Sequence, residues 1–482
     1  MRCLTVHGHF YQPPRENPWT EKVEVEEGAA PYHDWNERIT AECYAPIVRS
    51  LRKISFNFGP TLLGWLEEHH PEPYAGILDA DRASRAERGG HGNALAQAYN
   101  HVIMPLAIWR DKVTQVRWGI ADFRHRFGRE PEGMWLPETA ADRETLAVLA
   151  EAGIKFTILA PWQARRVRPL GNGDWDDVDG GRIDPTLAYR CTPAPGRSLA
   201  LFFYDAPIAR AIAFEGAAAD VETLKERLLS GFSVARDRPQ LVNIATDGES
   251  YGHHTRGGDR ALAEALEAIE RESEVTLTNY GVFLEAHLPT HEVEIVERTS
   301  WSCAHGVERW RADCGCRVGH PDWHRRWRGP LREAMDWLRD QLDPFYELRA
   351  KKLLRDPWEA RDGYIHLLLD RSDEARRAFL ARHQRDSPKA ARQREMWRLL
   401  EMERQRLLMY TSCGWFFDDI SGLEAVQVMK YAARAMELAK SLGFHGLEEE
   451  FVRRLAAVSS NLPEFGTGAE VYRRLVLPAA GR

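Results

Sequence analysis

The chain has 482 residues, 44% hydrophobic and 28% charged, which is enough to bury a large core without staples and unlike a disordered polymer. Its 65 basic residues against 72 acidic ones give a net charge of −7, so nothing in the balance provides an electrostatic footprint for nucleic acid. No apolar run reaches the roughly 18 residues of a membrane-spanning helix, and the apolar stretch after Met1 is too short for a secretory signal, so a cytoplasmic location is expected.

In chain order, seven β-rich runs come first: Leu4–Val6, Ile54–Phe58, Gly133–Leu136, Lys155–Leu159, Leu199–Tyr204, Leu241–Ala245 and Val275–Thr278. Helical patterns follow most of them, as in Asp142–Ala152, closed by Gly153 at a C-cap position. Strands alternating with helices predict a parallel sheet, and seven such units predict a barrel or near-barrel with its chemistry at the C-terminal strand ends. Residues 80–100 and 165–198, rich in Gly, Asp and Arg, read as long loops. From Pro330 onward apolar positions recur at three- and four-residue spacing, predicting helices over Leu331–Leu342, Trp358–Leu369, Asp373–His383, Ala390–Tyr410, Leu423–Ser441 and Leu447–Val458. The organisation expected is therefore a catalytic barrel over residues 1–290 and a helical domain over 291–482 that contributes to the active-site cleft.

Polar residues follow apolar strands at His7-Gly8-His9-Phe10-Tyr11-Gln12, at Trp135-Leu136-Pro137-Glu138 and at Asp247-Gly248-Glu249. A further polar segment, Trp301-Ser302-Cys303-Ala304-His305, lies at the junction of the two regions. Glu138 and Asp247 each end a strand at the expected active face, and a carboxylate pair across a barrel mouth is the minimum equipment for glycoside cleavage. His7 and His9 share one face of a strand and, with Asp247, would also suit zinc, so a zinc-dependent hydrolase of deacetylase or mannosidase type is an alternative. Cys303, His305, Cys314 and Cys316 form a second cluster. Its one-residue gaps match zinc knuckles poorly, and buried thiols are the simpler reading. The seven cysteines are odd in number and scattered, as in a reducing compartment. The segment Ser412-Cys413-Gly414-Trp415-Phe416-Phe417-Asp418-Asp419 interrupts the helical pattern.

These motifs resemble glycoside hydrolase family 57 over roughly residues 1–290, and the segment from Thr299 to the end resembles the uncharacterised C-terminal domain of one branch of that family. Trp135-Leu136-Pro137-Glu138 fits the nucleophile motif, and Asp247-Gly248-Glu249-Ser250-Tyr251-Gly252 fits the acid/base motif. His7-Gly8-His9 is followed by Gln12-Pro13 with two residues intervening. The resemblance implies a distorted (β/α)7 barrel of α/β class with a C-terminal all-helical domain. It also implies a retaining mechanism on α-glucans by hydrolysis, transfer or branching, with no metal or other cofactor. Glu138 is then the expected nucleophile and Asp247 the acid/base. His7, His9, Gln12, Glu249, His253 and His305 are expected to bind substrate hydroxyls with Asp418, and Trp135, Trp301 and Trp415 to line the subsites. The partner expected is an oligo- or polysaccharide, with neither nucleic acid nor membrane. A non-catalytic glucan-binding protein is the third reading; it has no use for a carboxylate pair.

Overall fold

The computed structural model describes residues 1–171, 173–272, 274–385 and 390–481. Among them the strands are β1 (Arg2–Phe10), β2 (Ser55–Phe58), β3 (Ala96–Gln97), β4 (Met134–Trp135), β5 (Phe156–Leu159) and β6 (Ala164–Pro169). They continue with β7 (Asp176–Asp177), β8 (Ala188–Ala194), β9 (Arg197–Phe203), β10 (Gln240–Asp247), β11 (Val275–Leu277) and β12 (His291–Ile295). Each of the seven expected runs falls on a strand. No helix among the described residues is long and apolar enough to cross a membrane.

The chain packs as two compact units. The first comprises Met1–Pro14, Val25–Tyr99 and Phe123–Ser302. In it seven strands follow one another around a distorted (β/α)7 barrel. β1 runs parallel to β2, and β2 is bridged in parallel to Ala94 just before β3. β3 pairs with β4, and Gly133 beside β4 is bridged to Phe156 of β5. β5 pairs with β9, and β10 returns to β1 in an eight-residue parallel register. Between β9 and β10 the ladder is sparse. The Asp205 amide donates to the Asn243 carbonyl at 2.8 Å, and Asn243 Nδ2 donates to the Phe203 carbonyl at 3.0 Å. β11 pairs with the start of β1.

The barrel strands β1, β2, β4, β5 and β10 are as apolar as a sheet covered on both faces requires. The helix Arg143–Glu151 that follows β4 starts at Asp142, whose carboxylate accepts from the Thr145 amide at 2.8 Å, and ends before Gly153 at φ +84°.

The two long loops expected from composition are corrected. The helix Pro71–Glu87 fills the start of the first, and β3 closes it. In the second, β6, β7 and β8 extend the sheet from β9 in the order β5-β9-β8-β12-β6-β7. β12, which the sequence reading gave to the helical region, is thus a strand of the barrel unit. Glycine and charge misled because one face of this extension is solvated. Antiparallel register sets Arg166 opposite Glu294 and Arg168 opposite Glu292, with N–O distances of 2.8 and 2.7 Å. Both guanidinium groups lie over the Trp175 ring.

The second unit comprises Arg15–Glu24, Asn100–Asp122 and Cys303–Arg482. Its helices include Arg328–Ala350, Pro357–Gly363, Ala390–Leu408, Leu423–Ser441 and Leu447–Leu455. The first of these runs past Pro344 because buried Tyr346 and Ala350 still face the core. A buried ionic network ties it together. Arg361 donates to Asp111 at 3.0 Å and to Glu403 at 3.1 Å, while Arg406 donates to Asp111 at 2.5 Å and to Asp343 at 2.5 Å. Burial opposes charge on Asp111, but Arg406 and Arg361 outweigh it and hold the carboxyl below its ordinary value. Asp111→Asn leaves two buried guanidinium groups short of a counter-charge. It is expected to destabilise this unit by about 3–5 kcal/mol, read as an earlier midpoint in urea unfolding.

Candidate active site

The barrel register lines up the polar strand ends. His9 pairs with Asp247 across β1 and β10 and with Asn57 across β1 and β2, while Gln97 pairs with Trp135 across β3 and β4. Parallel strands put these residues at one end of the barrel, the C-terminal end.

Within that rim, His7 and His9 are tied to polar side chains of the neighbouring strands. His7 donates from Nε2 to Asn57 Oδ1 at 3.0 Å and accepts at Nδ1 from the Ser55 hydroxyl at 3.0 Å. Asn57 Nδ2 donates to His9 Nδ1 at 3.0 Å and to Gln97 Oε1 at 2.7 Å. Both imidazoles stack on Trp135, at 4.8 and 5.0 Å between ring centroids. Desolvation, against the opposing hydrogen bond from Asn57, pulls both pKa values down to about 3, so both rings stay neutral. With both His7 nitrogens engaged by protein partners, zinc ligation would have to break this network. Asn57→Ala removes one hydrogen-bond partner from each of His7, His9 and Gln97 and is expected to cost about 1–3 kcal/mol in chemical denaturation.

Glu138 sits in the turn Pro137–Thr139 that leaves β4, with φ 58° and ψ 21°. That left-handed conformation is strained for glutamate and persists only where neighbours over-determine it. Here Gln163 clamps Thr139, accepting from its hydroxyl at 2.8 Å and donating to its carbonyl at 2.9 Å. The Trp301 amide donates to the Glu138 carbonyl at 3.0 Å. Two side-chain donors then converge on Oε2, namely Trp301 Nε1 at 3.0 Å and the Ser302 hydroxyl. The segment after Thr299 therefore belongs to the carboxylate's own setting.

Asp247 ends β10 as an exposed residue, although neighbouring protein atoms still desolvate its carboxyl. Its pKa is pushed well above the usual carboxylate range, first by desolvation and then by the charges of Glu249 and Glu138. Glu249 is buried and accepts from the Tyr11 amide at 3.1 Å and the Tyr44 hydroxyl at 2.6 Å, yet burial still lifts it to about 7. Tyr204 at the end of β9 feels Asp247 and lies edge-on to Trp301 at 6.2 Å.

Of the other expected residues, Trp301 is half-buried and packs edge-on to Trp135 and His9. Trp135 is wholly buried, so it supports the histidines and offers no open face. Gln12 is half-buried just past β1, and His253 is bonded to Glu42 at 2.5 Å with Trp35 at its edge. The remaining three lie in the helical unit. Trp415 is completely buried, its indole donating to the Arg328 carbonyl at 3.2 Å, so it fills core and cannot wall a subsite. Asp418 is ion-paired to Arg325 at 2.7 Å, and His305 stands beside Cys316. Sequence reasoning missed Ser55, Asn57, Gln97, Gln163, Tyr204 and Ser302. Ser55 and Asn57 did carry a signal, since alternate polar residues inside an apolar strand face one side.

Comparison with known proteins agrees with this geometry. Residues 64–296, which include Glu138 and Asp247, match Glycosyl hydrolase family 57, and residues 323–481 match a Domain of unknown function, DUF3536. "Alpha-amylase 1" of Dictyoglomus thermophilum is 30% identical over 128 residues, covering 26% of this chain and 18% of that protein. A 4-alpha-glucanotransferase of Thermococcus litoralis is 24% identical over 265 residues, covering 52% of this chain and 36% of that protein. The chain thus spans less than half the length of these curated relatives. The crystal structure of an exo-type maltose-forming amylase from Pyrococcus sp. ST04 superposes with a TM-score of 0.74 at 16% identity, over 99% of this chain and 93% of that one, which establishes a shared fold. The two carboxylates and the strand ends that carry them thus fall inside the stretch of this chain that matches glycosyl hydrolase family 57, and a DUF3536 match follows it.

Proposed function

We propose that this protein is a retaining carbohydrate-active enzyme that cleaves or transfers α-glucosidic linkages of an α-glucan. The observation that carries the reading is the inequality of two carboxylates at one barrel rim. Glu138 is oriented by Trp301 and Ser302, while Asp247 is driven toward its protonated form. The amylase and glucanotransferase activities named for the relatives support α-glucan as the substrate class.

In the first step Glu138 attacks the anomeric carbon, the glycosidic C–O bond breaks, and the departing oxygen takes the proton of Asp247. In the second, water or a sugar hydroxyl gives its proton to Asp247 and attacks the same carbon, releasing Glu138. Two inversions give net retention. The neutral His7–Asn57–His9 network fixes the floor without adding a competing charge. A cytoplasmic setting is part of the proposal, supported by seven free cysteines.

Incubation with glycogen, amylose and a maltooligosaccharide ladder tests it. New reducing ends identify hydrolysis, redistributed chain lengths without them identify transfer, and added branch points identify branching. An unchanged substrate profile in every case would remove α-glucan from the reading.

A further inference from the structure

Cys303, His305, Cys314 and Cys316 come together in the helical unit with their ligand atoms all within 4.8 Å of one another. The separations are specific. Cys303 Sγ lies 4.0 Å from Cys314 Sγ and 3.8 Å from Cys316 Sγ, and Cys316 Sγ lies 3.7 Å from His305 Nδ1. A tetrahedral ion with bonds of about 2.3 Å to sulfur and about 2.0–2.1 Å to nitrogen has S–S edges near ~3.8 Å and S–N edges near ~3.6 Å. The four donors therefore already describe three edges of that tetrahedron, at distances too long for disulfides.

The local backbone supports the same reading. Gly315, between Cys314 and Cys316, has φ +80° with nothing within 4 Å of a Cβ position. That left-handed residue lets two thiols separated by one residue turn to the same side, which is how the short gap becomes compatible with chelation. Backbone amides of His305 and Arg309 donate to the Cys303 sulfur, and the Cys316 amide donates to that of Cys314. Such donors orient sulfur ligands from outside the coordination sphere. Three thiolates on a divalent ion leave one net negative charge. The buried guanidinium of Arg328 faces the cluster and donates to the Cys316 carbonyl at 2.9 Å.

We propose that Cys303, His305, Cys314 and Cys316 form a structural zinc site of Cys3His type in the helical unit. Its task follows from the segment it closes. From Cys303 to the helix at Arg328 the chain has no regular structure beyond the turn Glu308–Trp310, yet it buries Trp310, Arg325 and Trp327. A segment of that length inside a compact unit needs a constraint, and metal binding supplies one whose free energy is folding free energy. The pinned segment then presents the Val318 and Gly319 amides, at 3.2 and 2.6 Å, and Arg325 to Asp418. All four positions are filled by protein, as in structural rather than catalytic zinc sites. This assignment is independent of the glycosidase reading.

The test is metal analysis of the full chain, purified without chelator from zinc-supplemented medium. One zinc ion per chain is expected, falling to a small fraction in the double variant Cys314→Ser/Cys316→Ser. Because that variant could misfold, cobalt exchange into the unaltered protein is the second measurement. Intense visible bands of a tetrahedral thiolate site, with sulfur-to-cobalt charge transfer, are expected. The proposal is overturned by unaltered protein that holds no zinc after dialysis against the metal and gives no such bands, or by a double variant that keeps its full equivalent.

Discussion

Glu138→Gln is expected to lower turnover of the α-glucan substrate by roughly 10⁴-fold or more while leaving the barrel folded. Gln keeps the length of the side chain and an oxygen that accepts from Trp301 Nε1 and Ser302, so the clamp at Oε2 survives. The αL backbone is held by Gln163 and by the Trp301 amide, neither of which sees the change. What disappears is the proposed nucleophile. Glu138→Ala sharpens the test, because it opens space for azide as an external nucleophile. On a substrate with an activated leaving group, azide then attacks once from the vacated face and gives a glycosyl azide of inverted configuration, read by NMR. A Glu138→Gln protein with full turnover, or an azide product of retained configuration, would remove Glu138 as the nucleophile.

The two strand-end carboxylates proposed as the catalytic pair were legible because their placement is local. A carboxylate directly after an apolar run needs only strand direction and a parallel sheet to reach the active end of a barrel. The support beneath it was not legible, because it is assembled across sequence. Ser302 reaches Glu138 from 164 residues away, and His7 is held from β2 by Asn57, 50 residues on. Only the strand register makes those neighbours. The helical region read well from its 3.6-residue pattern, to the residue for Asp373–His383 and Leu423–Ser441. The sheet extension failed for the opposite reason. In β6 three of the six residues are arginines, since cross-strand Arg–Glu pairs replace burial as the force that sets register. Trp415 shows a further limit. An aromatic beside glycine and two acids has the composition of a binding wall and of a core plug alike, and only its burial separates them. The cysteine cluster is the same case at a smaller scale, where a single left-handed glycine decides whether a one-residue gap can chelate.

Asp247→Ala is expected to slow cleavage of unactivated glucan by about 10²–10⁴-fold, while a substrate whose leaving group needs no proton keeps far more of its rate. Here azide acts after the first step. It intercepts the glycosyl-enzyme formed on Glu138 and gives a product of retained configuration, opposite to the Glu138→Ala outcome. The pH profile of kcat/KM carries an independent signature. Asp247 must hold a proton for the first step, and its folded pKa is raised, so activity persists above the usual carboxylate range and falls as pH rises through that raised value. Desolvation is the largest cause and the Glu249 charge the next, with Glu138 behind it. Glu249→Gln removes the second cause while preserving an acceptor for Tyr44 and the Tyr11 amide. The alkaline limb should then move to lower pH, with Glu138 and the fold unchanged. An alkaline limb that stays in place, or moves upward, would show that Asp247 is not the proton donor whose titration limits the reaction.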